Sequence, residues 1–265
     1  MGDADSRLIR SRENPRFKTL RLLAVSTRAR RKAGLALLDG MHLIAAYRAS
    51  GGVPEQLVLS ESGAANAEAA GLAAGASGQG VLVLADSLFN DIAQVATPTG
   101  IVALIRTPDP GPLPLAIERC VMLESIQDAG NLGSILRSAA AAGINTVLLS
   151  RGCAFAWSSK VLRAGMGAHF SLDIFDNADL PAAVRRLSGR LICAGSHAQK
   201  SVYQADLRGP LAWVFGNEGA GVSPELSAAA AEALRIPMPG GTESLNVAAA
   251  AAICLFEQVR QRSME

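Results

Sequence analysis

Three short segments hold the residue types that could do chemistry in this chain. They are Asn131-Leu-Gly-Ser-Ile-Leu-Arg137, Phe215-Gly-Asn-Glu-Gly-Ala-Gly221 and Ile236-Pro-Met-Pro-Gly-Gly-Thr-Glu-Ser-Leu-Asn-Val-Ala248. Each sets Gly beside Asn, Glu, Arg or Ser where apolar sequence gives way to a turn. Loops of this kind, carried on strand ends, are where α/β proteins place ligands. Three of them in one half of the chain point to one composite site.

In the first segment, Asn131 stands at a helix start and Arg137 follows six residues later, somewhat under two turns on. Asn131 is expected either to cap the helix or to orient Arg137, and the plain alternative is a capped helix with a solvent-facing Arg. In the second segment, Glu218 sits among glycines that let backbone approach a ligand. A carboxylate there would repel a phosphate, so it suits a cationic ligand or an Arg partner. The segment also reads as a glycine turn into a helix capped by Ser223 with Pro224 in its first turn. In the third, Ser244 is expected to cap the last helix and Asn246 to lie in its first turn, facing whatever the Gly240-Gly241 loop holds.

Other chemistries are absent from the pattern. No GxGxxG follows an early strand and no GxxxxGK[ST] occurs, which leaves a nicotinamide site and a P-loop unsupported. His42, His169 and His197 are far apart and read as structural. Trp157 and Trp213 read as core or interface. Cys120, Cys153, Cys193 and Cys254 are scattered without a CxxC pair or a Cys/His cluster, so no metal site or disulfide framework is expected.

The elements that must position the three segments alternate regularly. Strands are expected at 119–123, 146–149, 169–175, 191–194, 211–215 and 234–236. Helices are expected at 133–142, 158–165, 179–187 and 244–260. Continuous apolar strands alternating with helices argue a parallel sheet buried on both faces. Residues 107–114, Thr-Pro-Asp-Pro-Gly-Pro-Leu-Pro, hold four prolines and mark a linker. Upstream, one basic helix is expected over 16–32 with Leu20, Leu23 and Ala24 on its apolar side. Strands at 35–38, 57–59, 81–85 and 101–105 and a helix at 42–49 complete a small α/β domain. The Ala/Gly-rich stretch 63–80 reads as a loose helix or a flexible insertion. The expected division is therefore 1–106, a linker 107–114, and 115–265.

Charge is distributed unevenly. Residues 1–50 carry 11 Lys/Arg against four acids, while the remainder is net acidic. A basic end on an acidic protein suits contact with a phosphate backbone, or is a solvated helical face. Aromatic residues make up only 4%, which argues against a surface that stacks bases on rings. The start has no apolar signal core, and the run 247–256 is too short to span a bilayer. A cytoplasmic protein without a membrane partner is expected.

Taken together, the three segments resemble the three motifs of the SpoU/TrmH branch of the SPOUT superfamily, the knotted RNA ribose 2′-O-methyltransferases. The resemblance covers about residues 116–260. The front of the chain is similar to that family's substrate-binding domain at Ser11-Arg-Glu-Asn-Pro-Arg16 and Gly40-Met-His-Leu43, with Leu38-Asp39-Gly40 where Val-Glu-Gly is more usual. The resemblance implies a small N-terminal α/β RNA-binding domain and a C-terminal parallel-sheet α/β domain with a deep trefoil knot. It implies S-adenosylmethionine as methyl donor, with Ser196, Gly216, Asn217, Ile236, Met238 and Leu245 at the cofactor site. Asn131, Arg137, Glu218, Ser244 and Asn246 become the catalytic set. Arg12, Arg16, Lys18, Arg30, Arg31 and Lys32 become RNA contacts. It further implies a homodimer paired through the methyltransferase domain, with Arg137 working beside the partner's cofactor. The two-domain plan points to 23S rRNA, with tRNA as the same-class alternative. A non-catalytic RNA-binding or ribosome-assembly protein and a nucleotide enzyme without RNA are the other readings.

Overall fold

The computed structural model describes residues 8–74, 80–196 and 198–263. His197 and part of the 63–80 stretch, residues 75–79, lie outside the described residues. The chain divides into two compact units. One runs to Pro108 and includes Trp157–Arg163, and the other holds Asp109–Ala156 and Ala164 onward.

The first unit contains β1 (Leu8–Ile9), α1 (Pro15–Val25), α2 (Thr27–Ala33), β2 (Leu35–Asp39), α3 (Met41–Ala49), β3 (Gln56–Ser60), α4 (Ala67–Ala73), β4 (Val81–Leu84), α5 (Asp86–Asn90) and β5 (Ile101–Arg106). Its five-stranded sheet has the order β1-β4-β3-β5-β2, with β5 antiparallel to both neighbours. Phe17, Leu20, Leu23 and Ala24 of α1 pack on Leu37, Val58, Leu82 and Val102 of the sheet. These side chains are the reason the element stays docked, each large one contributing about 1.5–3 kcal/mol on burial.

The single basic helix expected over 16–32 is two helices. Ser26 ends α1 in an extended conformation and caps α2, its Oγ accepting from Ala29 N at 3.1 Å. The break is held by Arg30. Its Nη1 donates to the carbonyls of Leu23 and Ala24, the latter at 2.9 Å, and its Nη2 to Thr27 Oγ1 at 3.1 Å. Those carbonyls are among the orphan acceptors at the end of α1, and the guanidinium satisfies them.

The second unit contains β6 (Cys120–Leu123), α6 (Ala129–Ala141), β7 (Thr146–Leu149), the end of α7 (Ser159–Gly165), β8 (Asp173–Phe175), α8 (Leu180–Val184), β9 (Arg190–Ala194), β10 (Lys200–Ser201), β11 (Leu211–Phe215), α9 (Pro224–Ala229), β12 (Glu232–Arg235) and α10 (Val247–Arg262). Its seven strands are all parallel, in the order β10-β12-β9-β11-β6-β7-β8. Every residue of β6 and β11 is buried, which is why those strands read as unbroken apolar runs. Cys120, Met122, Ala212 and Val214 face a core completed by Leu180 and Leu226. On α10, Gln258 Oε1 accepts from Trp213 Nε1 at 3.0 Å, which answers the ring's one polar atom.

Three boundaries differ from expectation. Asp128, not Asn131, caps α6, its Oδ1 accepting from Asn131 N at 2.7 Å. Asn246, not Ser244, caps α10, accepting from Ala248 N and Ala249 N at 3.0 and 3.3 Å. Both corrections follow one rule: the nearest Asx side chain takes the free N–H groups and leaves the neighbouring residue outside the cap. The strand expected over 169–175 is a short 3-10 turn, Ala168–Ser171, followed by β8. There His169 is buried, with a ring nitrogen 2.9 Å from Ala156 O.

Candidate active site

A parallel sheet puts the carboxyl ends of all its strands on one edge, so the loops after β6, β9, β11 and β12 emerge together. Sequence order also reverses between β6 and β11: β7 and β8 continue on one side, and β11, β9, β12 and β10 lie on the other. Adjacent loops part at such a switch point and leave a crevice.

The loop after β11 is a tight turn. Gly221 N donates to Asn217 O at 2.8 Å, and Asn217 Oδ1 accepts from Gly219 N and Ala220 N at 2.9 and 3.1 Å. A Cβ at Gly216 would lie 2.1 Å from the Gly221 backbone, so only glycine lets the turn close. Asn217 Nδ2 donates to Ser125 O, 3.0 Å away in the loop after β6. The turn presents Glu218 outward. There its Oε1 accepts from Asn131 Nδ2 at 2.8 Å, and Asn131 Oδ1 accepts from Asn246 Nδ2 at 2.8 Å. One hydrogen-bonded chain, Glu218–Asn131–Asn246, thus joins the three sequence segments.

Beside it lies a cavity of about 450 Å³. Ser196, Gly216, Asn217, Ile236, Met238 and Leu245, the six positions expected at a cofactor site, all line it, as do Glu218 and Ser244. Cys193 also lines it, and burial pushes this thiol up, so it stays neutral. Among the described lining residues Glu218 is the only carboxylate. Arg137 is exposed on α6, on the same helix as Asn131. The described residues hold no His/Cys/Asp/Glu group able to bind a metal.

Reading the sequence missed Glu124, Ser125 and Asp128. Glu124 Oε2 accepts from Ser223 N at 2.7 Å and fixes the start of α9. Their signal was the polar run Glu124-Ser-Ile-Gln-Asp128 directly after an apolar strand. The basic front is also revised. Arg12, Arg16, Lys18, Arg31 and Lys32 are exposed, with Arg12 paired to Asp91 at 3.0 Å and Lys18 to Glu13. Arg30 is only 4% exposed and spends its guanidinium on α1, so it is withdrawn as an RNA contact.

Residues 118–256 match the SpoU rRNA Methylase family. The chain belongs to this family. Residues 14–103 match the MRM3-like substrate binding domain. The chain is 32% identical to the 23S rRNA (guanosine(2553)-2′-O)-methyltransferase RlmP of Bacillus subtilis, over 94% of this chain and 97% of that protein. It is 31% identical to rRNA methyltransferase 3, mitochondrial, of Mus musculus, over 93% of this chain and 72% of that protein. Among solved structures it is similar to the SpoU methyltransferase AviRb from Streptomyces viridochromogenes in complex with the cofactor AdoMet. That match has a TM-score of 0.83 and 26% identity, and covers 94% of this chain and 98% of the other. As a SpoU methylase the chain is an S-adenosylmethionine-dependent RNA ribose methyltransferase. No helix among the described residues is long and apolar enough to cross a membrane.

Proposed function

We propose that this SpoU methylase transfers a methyl group to a single ribose 2′-hydroxyl of 23S rRNA, with the catalytic set at the Glu218–Asn131–Asn246 junction. The observation that carries this reading is the junction itself. Three residues from distant parts of the chain are bonded side chain to side chain at the rim of a ligand-sized cavity.

The cavity fits S-adenosylmethionine chemically. Ile236, Met238 and Leu245 offer apolar walls, the glycines leave backbone within reach, and one carboxylate faces a ligand of net positive charge. When bound, the donor supplies an already electrophilic methyl group. The protein's task is then to place a 2′-oxygen in line and to stabilise it as its proton leaves. A guanidinium is always protonated, which makes Arg137 a poor base and a good clamp. We assign it to the phosphate of the target nucleotide and to the developing 2′-oxyanion. Asn131, Glu218, Ser244 and Asn246 orient that step. The exposed cations Arg12, Arg16, Lys18, Arg31 and Lys32 bind RNA phosphates. Residues 1–106 are the RNA-binding domain, 107–114 its linker, and 115–265 the catalytic domain, knotted as the resemblance implies. Two copies pair through this domain. Phe256, 46% exposed on α10 beside the accessible Ala249, Ala252 and Ile253, supports the pairing. A cytoplasmic location accords with this substrate.

The test is methyl transfer from labelled donor to total RNA from cells lacking the protein, followed by ribose-methylation mapping. One new 2′-O-methyl in 23S rRNA, lost with Arg137→Ala, is the expected result. A tRNA product would move the substrate, and donor binding without transfer to any RNA would overturn the assignment.

A further inference from the structure

Ser125 follows β6 by two residues and has φ +56°, a left-handed conformation that costs a serine free energy. It persists because its surroundings hold it. Its N–H donates to Ser150 Oγ at 2.9 Å, in the turn after β7, and its carbonyl accepts from Asn217 Nδ2 at 3.0 Å. Gly152 closes the remaining side, since a Cβ there would lie 2.3 Å from Ser125 Oγ. Asn217 in turn gathers Gly219 N and Ala220 N with its own oxygen, which fixes the turn that carries Glu218. Neither serine lines the cavity or bonds to Asn131 or Asn246.

We propose that Ser150 and Ser125 are positioning residues for the methyl transfer. Ser150 holds Ser125 left-handed, the left-handed turn aims the Ser125 carbonyl at Asn217, and Asn217 sets the Glu218 carboxylate for Asn131. The proposal rests on the site assignment above and extends it by one link on the β7 side. Without the Ser150 hydroxyl, Ser125 relaxes toward ordinary φ. Its carbonyl then swings away, and the Glu218 turn loses its anchor.

Glycine makes this testable, because it reaches φ +56° without the side-chain penalty. The purified enzyme and its RNA substrate are assayed for kcat, for KM of both substrates, for donor affinity by calorimetry and for thermal stability. Ser150→Ala is expected to lower kcat about five- to tenfold, the effect of one lost hydrogen bond, while donor affinity stays within about twofold. Ser125→Gly alone keeps kcat near wild type. The Ser150→Ala, Ser125→Gly double variant recovers most of the lost turnover, because the backbone no longer needs to be held. A structural role would give no such rescue. In a Glu218→Ala background, which has no side-chain acceptor for Asn131, Ser150→Ala should cost nothing further. Wild-type kcat in Ser150→Ala, or a loss that Ser125→Gly leaves unrepaired, overturns the relay. Full turnover in Glu218→Ala alone overturns the site assignment instead, so the two failures are distinct.

Discussion

Replacing Asn131 with Asp exchanges one nitrogen for an oxygen at the centre of the Glu218–Asn131–Asn246 chain. Asn246 can still donate to the new carboxylate, so that half of the bridge survives. The other half inverts: where Nδ2 donated to Glu218 Oε1 at 2.8 Å, two anionic oxygens now face each other. At that separation their repulsion runs from about 1.5 kcal/mol in bulk water to about 6 kcal/mol at an effective dielectric of 20. Both residues border solvent, so the lower end applies, and with the lost bond the penalty is about 2–3 kcal/mol. If the bridge positions Glu218 for the transition state, kcat should fall about 30- to 150-fold at pH 8. The pH dependence follows with its sign. Like charges favour protonating one of the pair, and a protonated carboxyl at position 131 is again a donor to Glu218. The ratio of variant to wild-type kcat should therefore rise as pH falls from 8 toward 5. The assay is single-turnover methyl transfer at saturating donor across that range, with donor affinity measured in parallel. A variant with wild-type turnover at pH 8, or a ratio flat with pH, would refute the reasoning.

Arg30→Met should destabilise the protein by about 2–4 kcal/mol, since it strips two helix-end carbonyls of a charged donor, and should leave the salt dependence of RNA binding unchanged. Lys32→Gln should do the reverse, lowering the log–log salt slope by about 0.7–0.9 with stability within about 0.5 kcal/mol. Calorimetric melting and binding titrations from 50 to 200 mM salt check both. Burial lowers His169 from 6.5 to about 4. The unfolded chain then binds the extra proton first, so stability is complete above pH 6.5 and declines as pH falls toward 4, by about 3 kcal/mol. Denaturant melts of the wild type against His169→Gln should show this slope only in the wild type. Gly165→Ala would put a Cβ 2.6 Å from the His169 ring and should cost about 1–3 kcal/mol by the same melts.

How much of this was legible depended on the distance over which each signal acts. The strands at 120–123, 146–149 and 211–215 were readable because burial on both faces demands unbroken apolar runs. The helix start at Pro224 was readable because Ser223 and Pro224 act locally, and Ser223 Oγ does accept from Leu226 N. The residues that meet at the site were legible only as three suspicious turns. That Asn131 bonds to both Glu218 and Asn246, across 87 and 115 residues, follows from the order of strands in the sheet, which no local pattern encodes. The caps expected at Asn131 and Ser244 are instead Asp128 and Asn246, because spacing alone does not choose between neighbouring residues that can all accept from a free helix N–H. Arg30 failed differently. Its charge placed it with Arg31 and Lys32, but the break at Ser26 turns α2 so that position 30 faces the end of α1. A count of charges carries no information about which side of a helix meets the core.

The strand order also explains why the junction lies where it does. The cavity is walled by the loops after β9, β11 and β12 and by 244–247, on one side of the switch point. Arg137 rides on α6, which leaves β6 on the other side. Donor and acceptor must meet for transfer, so the groups that align them have to bridge the crevice between β6 and β11. Side-chain links do so at two levels: Glu124 to Ser223 and Asn217 to Ser125 near the strand ends, and Glu218 and Asn246 to Asn131 further out. The inner links are held by backbone geometry and the outer ones are open to solvent. On the site assignment proposed above, an RNA ribose arriving along α6 would meet a carboxylate and two amides whose positions are fixed from behind, with the reorganisation that water would impose at that point already complete.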